Sequence, residues 1–278
     1  MIRQLLAKGG PALAAGAAVI ALAAGRPESR YSAAEEKDLV WHEGQRIVVE
    51  ETAGDVRVEA GRGVKVTVMG VKTVTAATLE RARAEVEKLE MEVTSRRGEI
   101  RVVTRRPRRW RGVEGWVDYT VRVPGEAPVV LKTVSGEISV SGAGGAVNAA
   151  TVSGGIRVMG ARGAVEARSI SGEVFFENCP GAALGETVSG GIVYRGGGGA
   201  GGGGLTFRSA GGDVRVEVPG DFSSTVQIAT VSGKIGMGVP LEDATRVGNV
   251  VKGRMGSGER SLRVNTVSGD VYVGVIVR

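Results

Sequence analysis

The stretch Thr133-Val-Ser-Gly-Glu-Ile-Ser-Val140 decides how this chain is read, because its pattern returns as Thr151-Val-Ser-Gly-Gly-Ile-Arg-Val158, Ser169-Ile-Ser-Gly-Glu-Val-Phe-Phe176 and Thr187-Val-Ser-Gly-Gly-Ile-Val-Tyr194. Its central glycines, Gly136, Gly154, Gly172 and Gly190, recur at every eighteenth position. Looser copies begin at Ser209, Thr230 and Thr266, and the interval from Gly233 to Gly269 is twice that period. Fainter copies lie upstream, at Gly54 to Val58 and Gly98 to Val102. A fixed period of this size marks a stack of similar units.

Eighteen residues at ~3.3 Å each give roughly 60 Å of contour, enough for two short strands and two bends. Within one period Val147 and Ala149 alternate on one strand, and Ile156 and Val158 on the next, so each coil has one inward face. The expected fold is all-β, a parallel β-solenoid with ~18-residue coils and one short amphipathic helix. An antiparallel β-sandwich with one hairpin per repeat is the other architecture this spacing allows.

Glycine at the bend is expected to take a positive φ, and the serine before it to bond nearby backbone and stack on its equivalent one coil away. The expected turn ladder is Ser135, Gly136, Ser153, Gly154, Ser171, Gly172, Ser189, Gly190, Ser232, Gly233, Ser268 and Gly269. The residues after the four regular glycines are Glu137, Gly155, Glu173 and Gly191, so neighbouring coils avoid like charges there.

Four segments follow along the chain. Residues 1–25 place Arg3 and Lys8 before an apolar run from Ala12 to Ala24 that ends in Ala21-Leu22-Ala23, the order of a secretory signal. The run is shorter than the ~20 residues that span a bilayer, although an uncleaved N-terminal anchor is the alternative. Residues 26–38 are polar and read as a linker, residues 39–130 as N-terminal strands with one capping helix, and residues 131–278 as the repeats. The helix is expected from Ala76 to about Met91, with Leu79, Ala82, Val86 and Leu89 on one face and Thr78 as N-cap. Its expected role is to cover an open end or face of the stack.

Composition narrows the chemistry. The 278 residues include 46 glycines and carry a formal charge of +6, or +4 once Arg3 and Lys8 are removed. Cys179 is the only cysteine, so no intramolecular disulfide forms. His42 is the only histidine and cannot build a multi-histidine metal site. Gly196, Gly198 and Gly201 match G-x-G-x-x-G inside a glycine run without a βαβ context, and no P-loop or G-x-S-x-G is present. Glu137 and Glu173 could act as an acid and base pair only if the intervening coil brought them together. No cofactor is expected.

Two surfaces are candidates for binding. Arg105, Arg106, Arg108, Arg109, Trp110 and Arg111 make a dense basic and aromatic patch suited to phosphates or sugars. The hydroxyl ranks of the T-V-S-G phrases could face a carbohydrate or ice.

These phrases, with the early strands and the closing Thr266-Val-Ser-Gly-Asp-Val-Tyr-Val273, give a chain that resembles the bacterial putative-adhesin family of β-strand-repeat proteins over residues 39–278. The resemblance implies a solenoid-like fold in an exported or envelope-displayed protein, and it carries no catalytic residues to transfer. The functional expectation is an exported, non-enzymatic, adhesin-like scaffold that is periplasmic, cell-surface or secreted. Its expected partners are anionic envelope polymers, lipid headgroups or glycans, with no nucleic acid. The alternative is a polysaccharide-acting enzyme built on a β-solenoid.

Overall fold

The structure is a computed structural model that describes residues 28–196 and 203–276. The expected signal segment, residues 1–25, lies outside the described residues, as do Gly198 and Gly201. The N-terminal block comprises β1 (Ser29–Val40), β2 (Arg46–Glu50), β3 (Val56–Gly61), β4 (Lys65–Ala76), α1 (Leu79–Val86), β5 (Glu90–Arg96), β6 (Glu99–Arg105) and β7 (Val113–Pro124). The coils then run as strand pairs: β8 (Val129–Ser135) with β9 (Ile138–Ser141), β10 (Val147–Ser153) with β11 (Ile156–Met159), and β12 (Val165–Ser169) with β13 (Val174–Glu177). They continue with β14 (Ala183–Thr187) and β15 (Ile192–Arg195), β16 (Leu205–Ser209) and β17 (Val214–Val218), and β18 (Ser224–Thr230) and β19 (Ile235–Met237). The hairpin β20 (Glu242–Val247) and β21 (Val250–Met255) precedes the last coil, β22 (Arg260–Thr266) and β23 (Val271–Val275).

Each coil gives one strand to each of two long sheets, one of 11 strands and one of 12. Coil-to-coil pairing is parallel, as the sequence period requires. Val129 lies opposite Val147, Val147 opposite Val165 and Val165 opposite Ala183, so each strand is offset from the next by one full period. The same offset holds in the other sheet, where Ile138, Ile156 and Val174 are in register. Register is fixed because a one-residue slip would turn every inward side chain outward.

The valines, isoleucines and alanines of both sheets face each other in one continuous core. Where the core widens to take Phe176, Tyr194 and Phe207, with ring centroids 5.5–6.2 Å apart, Gly185 stands beside Phe207 in one sheet and across from Phe176 and Tyr194 in the other. A β-carbon there would meet Phe176 at 2.9 Å, so missing volume on one strand matches added volume on the other.

The N-terminal block does not stand apart from the repeats. β2 pairs with β8 and β3 with β9, both parallel, so both sheets run across residues 130 and 131 without a break. From Ser29 onward the stretch expected as a linker, residues 26–38, is instead strand: Ser29–Val40 forms β1 and pairs antiparallel with β4 along its whole length. Its charges were misleading. Glu35 pairs with Lys72 and Asp38 with Lys65 across to β4, and Glu35 also meets Lys37 along β1, so the polar composition belongs to ion pairs of the strand.

The helix covers Leu79–Val86, shorter than expected, because Glu90 and Met91 already belong to β5. Thr78 caps it by accepting the Arg81 N–H at 3.2 Å. Ala82 and Val86 are buried, and the helix packs on β1, β4 and β7 at the N-terminal end of the stack.

The C-terminal end departs most from expectation. The gap from Gly233 to Gly269 does not contain another coil; it contains the antiparallel hairpin β20 and β21. The last coil is also not at the end, because β22 lies between β16 and β18, and β23 between β17 and β19.

Candidate functional site

The repeated phrase is a bend, and its residues line up coil upon coil as parallel rows along one edge. At its start, Thr133, Thr151, Ser169, Thr187, Ser209, Thr230 and Thr266 are buried. Their hydroxyls tie coil to coil: Thr151 donates to Gly136 O at 3.4 Å, Ser169 to Gly154 O at 3.0 Å and Thr187 to Gly172 O at 3.2 Å. Ser169 and Thr187 also accept the N–H of Gly172 and Gly190, at 2.8 and 3.0 Å. The structural hydroxyl is therefore the first residue of the phrase, not the serine before the glycine. Ser135, Ser153, Ser171, Ser189, Ser232 and Ser268 stand exposed, and of these Ser189, Ser232 and Ser268 donate to a neighbouring coil's carbonyl at 3.2–3.3 Å. Sequence reasoning missed the distinction, although the alternation carried it: Thr133 shares the parity of Leu131 and Val129, which point inward.

The glycines are required for a different reason from the one expected. Gly136, Gly154, Gly172, Gly190, Gly233 and Gly269 do not appear among the positive-φ residues. Each lies so close to the next coil that a β-carbon would come within 3.0 Å of the neighbouring glycine's carbonyl oxygen.

After each glycine comes an exposed row, which includes Asp55, Glu137, Glu173, Asp213 and Asp270. Like charges do adjoin here, Asp55 beside Glu137 and Asp213 beside Asp270. The short aspartates tolerate this because one oxygen accepts the next coil's N–H, Glu137 N–H to Asp55 at 2.8 Å and Asp270 N–H to Asp213 at 2.8 Å. Glu137 and Glu173 lie on coils either side of Gly155, separated by the intervening strand. Between the buried threonines and the serines stands a file of exposed aliphatics, Val134, Val152, Ile170, Val188, Val267 and Val231, 42–70% accessible.

On the sheet faces glutamates are paired with arginines both across coils and along a strand. Arg168 and Arg208 both reach Glu186 at 2.7 Å, and Arg195 and Arg215 reach Glu217 at 2.8 and 2.7 Å. The arginine contacts, Arg168 first for Glu186 and Arg215 first for Glu217, hold these carboxyls below their ordinary value of 4.5. A lowered folded-state pKa means stability that is present above pH 4.5 and lost as pH falls through the lowered values. We expect the melting temperature to drop between pH 6 and pH 3, and the variant Glu186→Gln/Glu217→Gln to lose part of that drop. The partly exposed pairs limit the effect to about 1 kcal/mol each.

The arginine patch divides on inspection. Arg105 is paired with Glu92. Arg106 is spent on the interior: it pairs with Glu51, whose side chain is fully buried, and donates to Gly115 O at 3.1 Å and Ala53 O at 3.2 Å. Trp110 is wedged against the helix, its indole N–H donating to Glu85 at 2.8 Å. The guanidinium of Arg81 also donates to Arg111 O at 2.7 Å. These contacts pin the segment between β6 and β7 from both sides and leave Arg108, Arg109 and Arg111 exposed, with no carboxylate partner among the described residues.

The remaining candidates are structural. His42 is exposed in the turn after β1, its backbone N–H donating to Gln45 at 2.9 Å. Cys179 is buried, and burial pushes its thiol pKa up. Among the described residues no group of three or more His, Cys, Asp or Glu is placed to hold a metal ion, and no helix is long and apolar enough to cross a membrane.

Comparison with known proteins agrees with the resemblance read from the sequence. Residues 200–274 match the model of the Toastrack DUF4097 family. No curated protein matches the chain. Among solved structures, a putative adhesin from Bacteroides fragilis is similar at 11% identity and a TM-score of 0.47, covering 86% of this chain and 96% of its own. A putative cell adhesion protein from Clostridium sporogenes is similar at 11% identity and a TM-score of 0.37, with 87% and 100% covered. A putative lipid binding protein from Parabacteroides distasonis is similar at 12% identity and a TM-score of 0.33, with 86% and 96% covered.

Proposed function

We propose that this chain is an exported, non-enzymatic, adhesin-like scaffold that associates with anionic envelope polymers, lipid headgroups or acidic glycans through the loop between β6 and β7. The observation that carries this reading is the division of the arginines. Glu51 and Glu85 fix the loop through Arg106 and Trp110, and three further cations, Arg108, Arg109 and Arg111, project from that fixed base with no carboxylate among the described residues to neutralise them. A guanidinium presents a planar fork of donors to phosphate or carboxylate oxygens, and a pinned loop loses less conformational freedom when it binds. The sheet faces support a scaffold role, because Glu186 and Glu217 are kept ionised by arginines and are not poised as proton donors. Export brings such a surface to envelope polymers before nucleic acid.

The test is binding to anionic liposomes and to a phosphate-rich polysaccharide over a salt series, comparing the parent with Arg108→Gln/Arg109→Gln/Arg111→Gln. By analogy with counterion release from nucleic acids, the log–log salt slope should flatten by about 0.7–0.9 for each phosphate that an arginine no longer neutralises. Arg105 and Arg106 are left intact, since replacing Arg106 would unseat the loop. Equal binding and equal salt slopes for the two proteins would exclude the loop as the binding surface.

A further inference from the structure

The last coil occupies a seat that another segment of the same chain also fits. β22 is in register with β16 on one side and β18 on the other, so Leu205, Leu262 and Val226 form one row, and Ser209, Thr266 and Thr230 another. β23 likewise lies between β17 and β19, with Val214, Val271 and Ile235 in a row. Take the last coil away, and β18 and β19 can close directly onto β16 and β17 in that same register. The step from Leu205 to Val226 would then be one position shorter than the step from Ala183 to Leu205 in the coil before, so the chain is long enough to close it.

The bends do not discriminate between these stacks. A β-carbon at Gly269 would collide with Gly212 O, and one at Gly233 with Gly269 O, so Gly233 can take the place of Gly269 against Gly212 with the same geometry. The observed order differs from the sequential stack only in that the last coil stands between β16/β17 and β18/β19. Interchange of the two requires β18 and β19 to part from β16 and β17 and admit the last coil.

The connector permits that movement. Residues 238–259 hold the hairpin of β20 and β21, which is joined to the stack by the antiparallel pairing of β21 with β18. β20 is exposed along its entire length, and Gly248, Gly256 and Gly258 take positive φ in the connector's turns. Once β21 is released from β18 and the hairpin opens, a connector of this length can span roughly 70 Å, far more than one coil's thickness.

A displaced last coil carries Leu262, Val264, Val271 and Val273, all buried in its seat, and cannot remain in water without cost. We propose that this seat is an interaction surface for the same segment of a second copy, so that residues 260–275 of one chain insert between β16/β17 and β18/β19 of another and form exchanged oligomers. Exchange of an identical element recreates every contact of the monomer, which makes it a low-cost route to association.

The experiment uses full-length chains carrying single introduced cysteines. Thr206 and Arg263 are directly opposite on β16 and β22, and Cys179 is buried. A chain with Thr206→Cys is mixed with one carrying Arg263→Cys at high protein concentration, warmed below the melt, and oxidised. We expect an interchain disulfide whose yield rises with concentration and incubation time. A Ser139→Cys chain, whose cysteine lies on β9 away from the seat, should give several-fold less product with Arg263→Cys. The double variant Thr206→Cys/Arg263→Cys, oxidised when dilute, should close an intrachain disulfide, showing that both substitutions leave the coil seated, and should then no longer form larger species. No interchain product, or an equal yield with Ser139→Cys, overturns the proposal.

Discussion

Gly154→Val is expected to abolish folding of the stack at physiological temperature, or to cost at least about 3 kcal/mol if the protein still folds. The valine β-carbon alone would fall within 3.0 Å of Gly136 O, before either methyl is placed. Gly136 cannot yield alone, because its own bend stacks with the same closeness on Gly54, and Gly172 stacks on Gly154 in turn. Relief therefore requires opening a column of backbone in which Ile138, Ile156 and Val174 are in register and buried. The matched control is Glu137→Gln, an exposed side chain one residue past the preceding bend, which should change stability by no more than about 0.5 kcal/mol. Thermal and denaturant melts of the two variants give the comparison; similar midpoints would mean that the glycine column is not close-packed.

Glu51→Ala should cost about 3–5 kcal/mol, the usual consequence of leaving one member of a buried ion pair alone. Glu51 stands in the row that elsewhere holds Thr133, Thr151 and Ser169, facing inward. One carboxylate oxygen accepts the N–H groups of Thr52 at 2.8 Å and Ala53 at 3.1 Å, and pairs with Arg106. The other accepts from Thr104, whose hydroxyl also meets Tyr119 at 2.8 Å. Removing the carboxylate strands the Arg106 guanidinium, two backbone donors and the Thr104 hydroxyl together. Because Arg106 fixes the loop between β6 and β7, the loop proposed to bind polyanions, the same variant should also weaken that binding even at temperatures where it remains folded. Urea unfolding of Glu51→Ala, with Arg101→Ala as an exposed-pair control, measures the cost. A loss below about 1 kcal/mol, typical of surface pairs, would contradict the buried network.

What the sequence makes legible follows from what repeats in it. The period predicts which residue lies over which, and Val147, Val165 and Ala183 stack accordingly. Phe176, Tyr194 and Phe207 share that inward parity, but the role of Gly185 among them depends on volumes summed across two sheets. The β1 strand was hidden because the lysines that stabilise Glu35 and Asp38 lie on β4, far along the chain. The pairing of Arg106 was hidden in the same way, since Glu51 lies far from it in sequence, whereas Glu92 reaches Arg105 across the β5–β6 hairpin. Identical phrases also cannot encode their own order, so nothing in Thr230-Val-Ser-Gly233 or Thr266-Val-Ser-Gly269 says which sits next to Gly212. The interval of two periods between them holds the β20–β21 hairpin, whose presence the period alone does not reveal.

The measurement that tests the stacked architecture most directly is the pattern of backbone proton contacts across residues 147–177, read from nuclear Overhauser spectra of the labelled protein. A parallel stack predicts amide-to-α-proton contacts between residues one full period apart, in the rows Val147 with Val165 and Ile156 with Val174. Contacts between Val147–Ser153 and Ile156–Met159 in an antiparallel ladder, one hairpin per repeat, would contradict it.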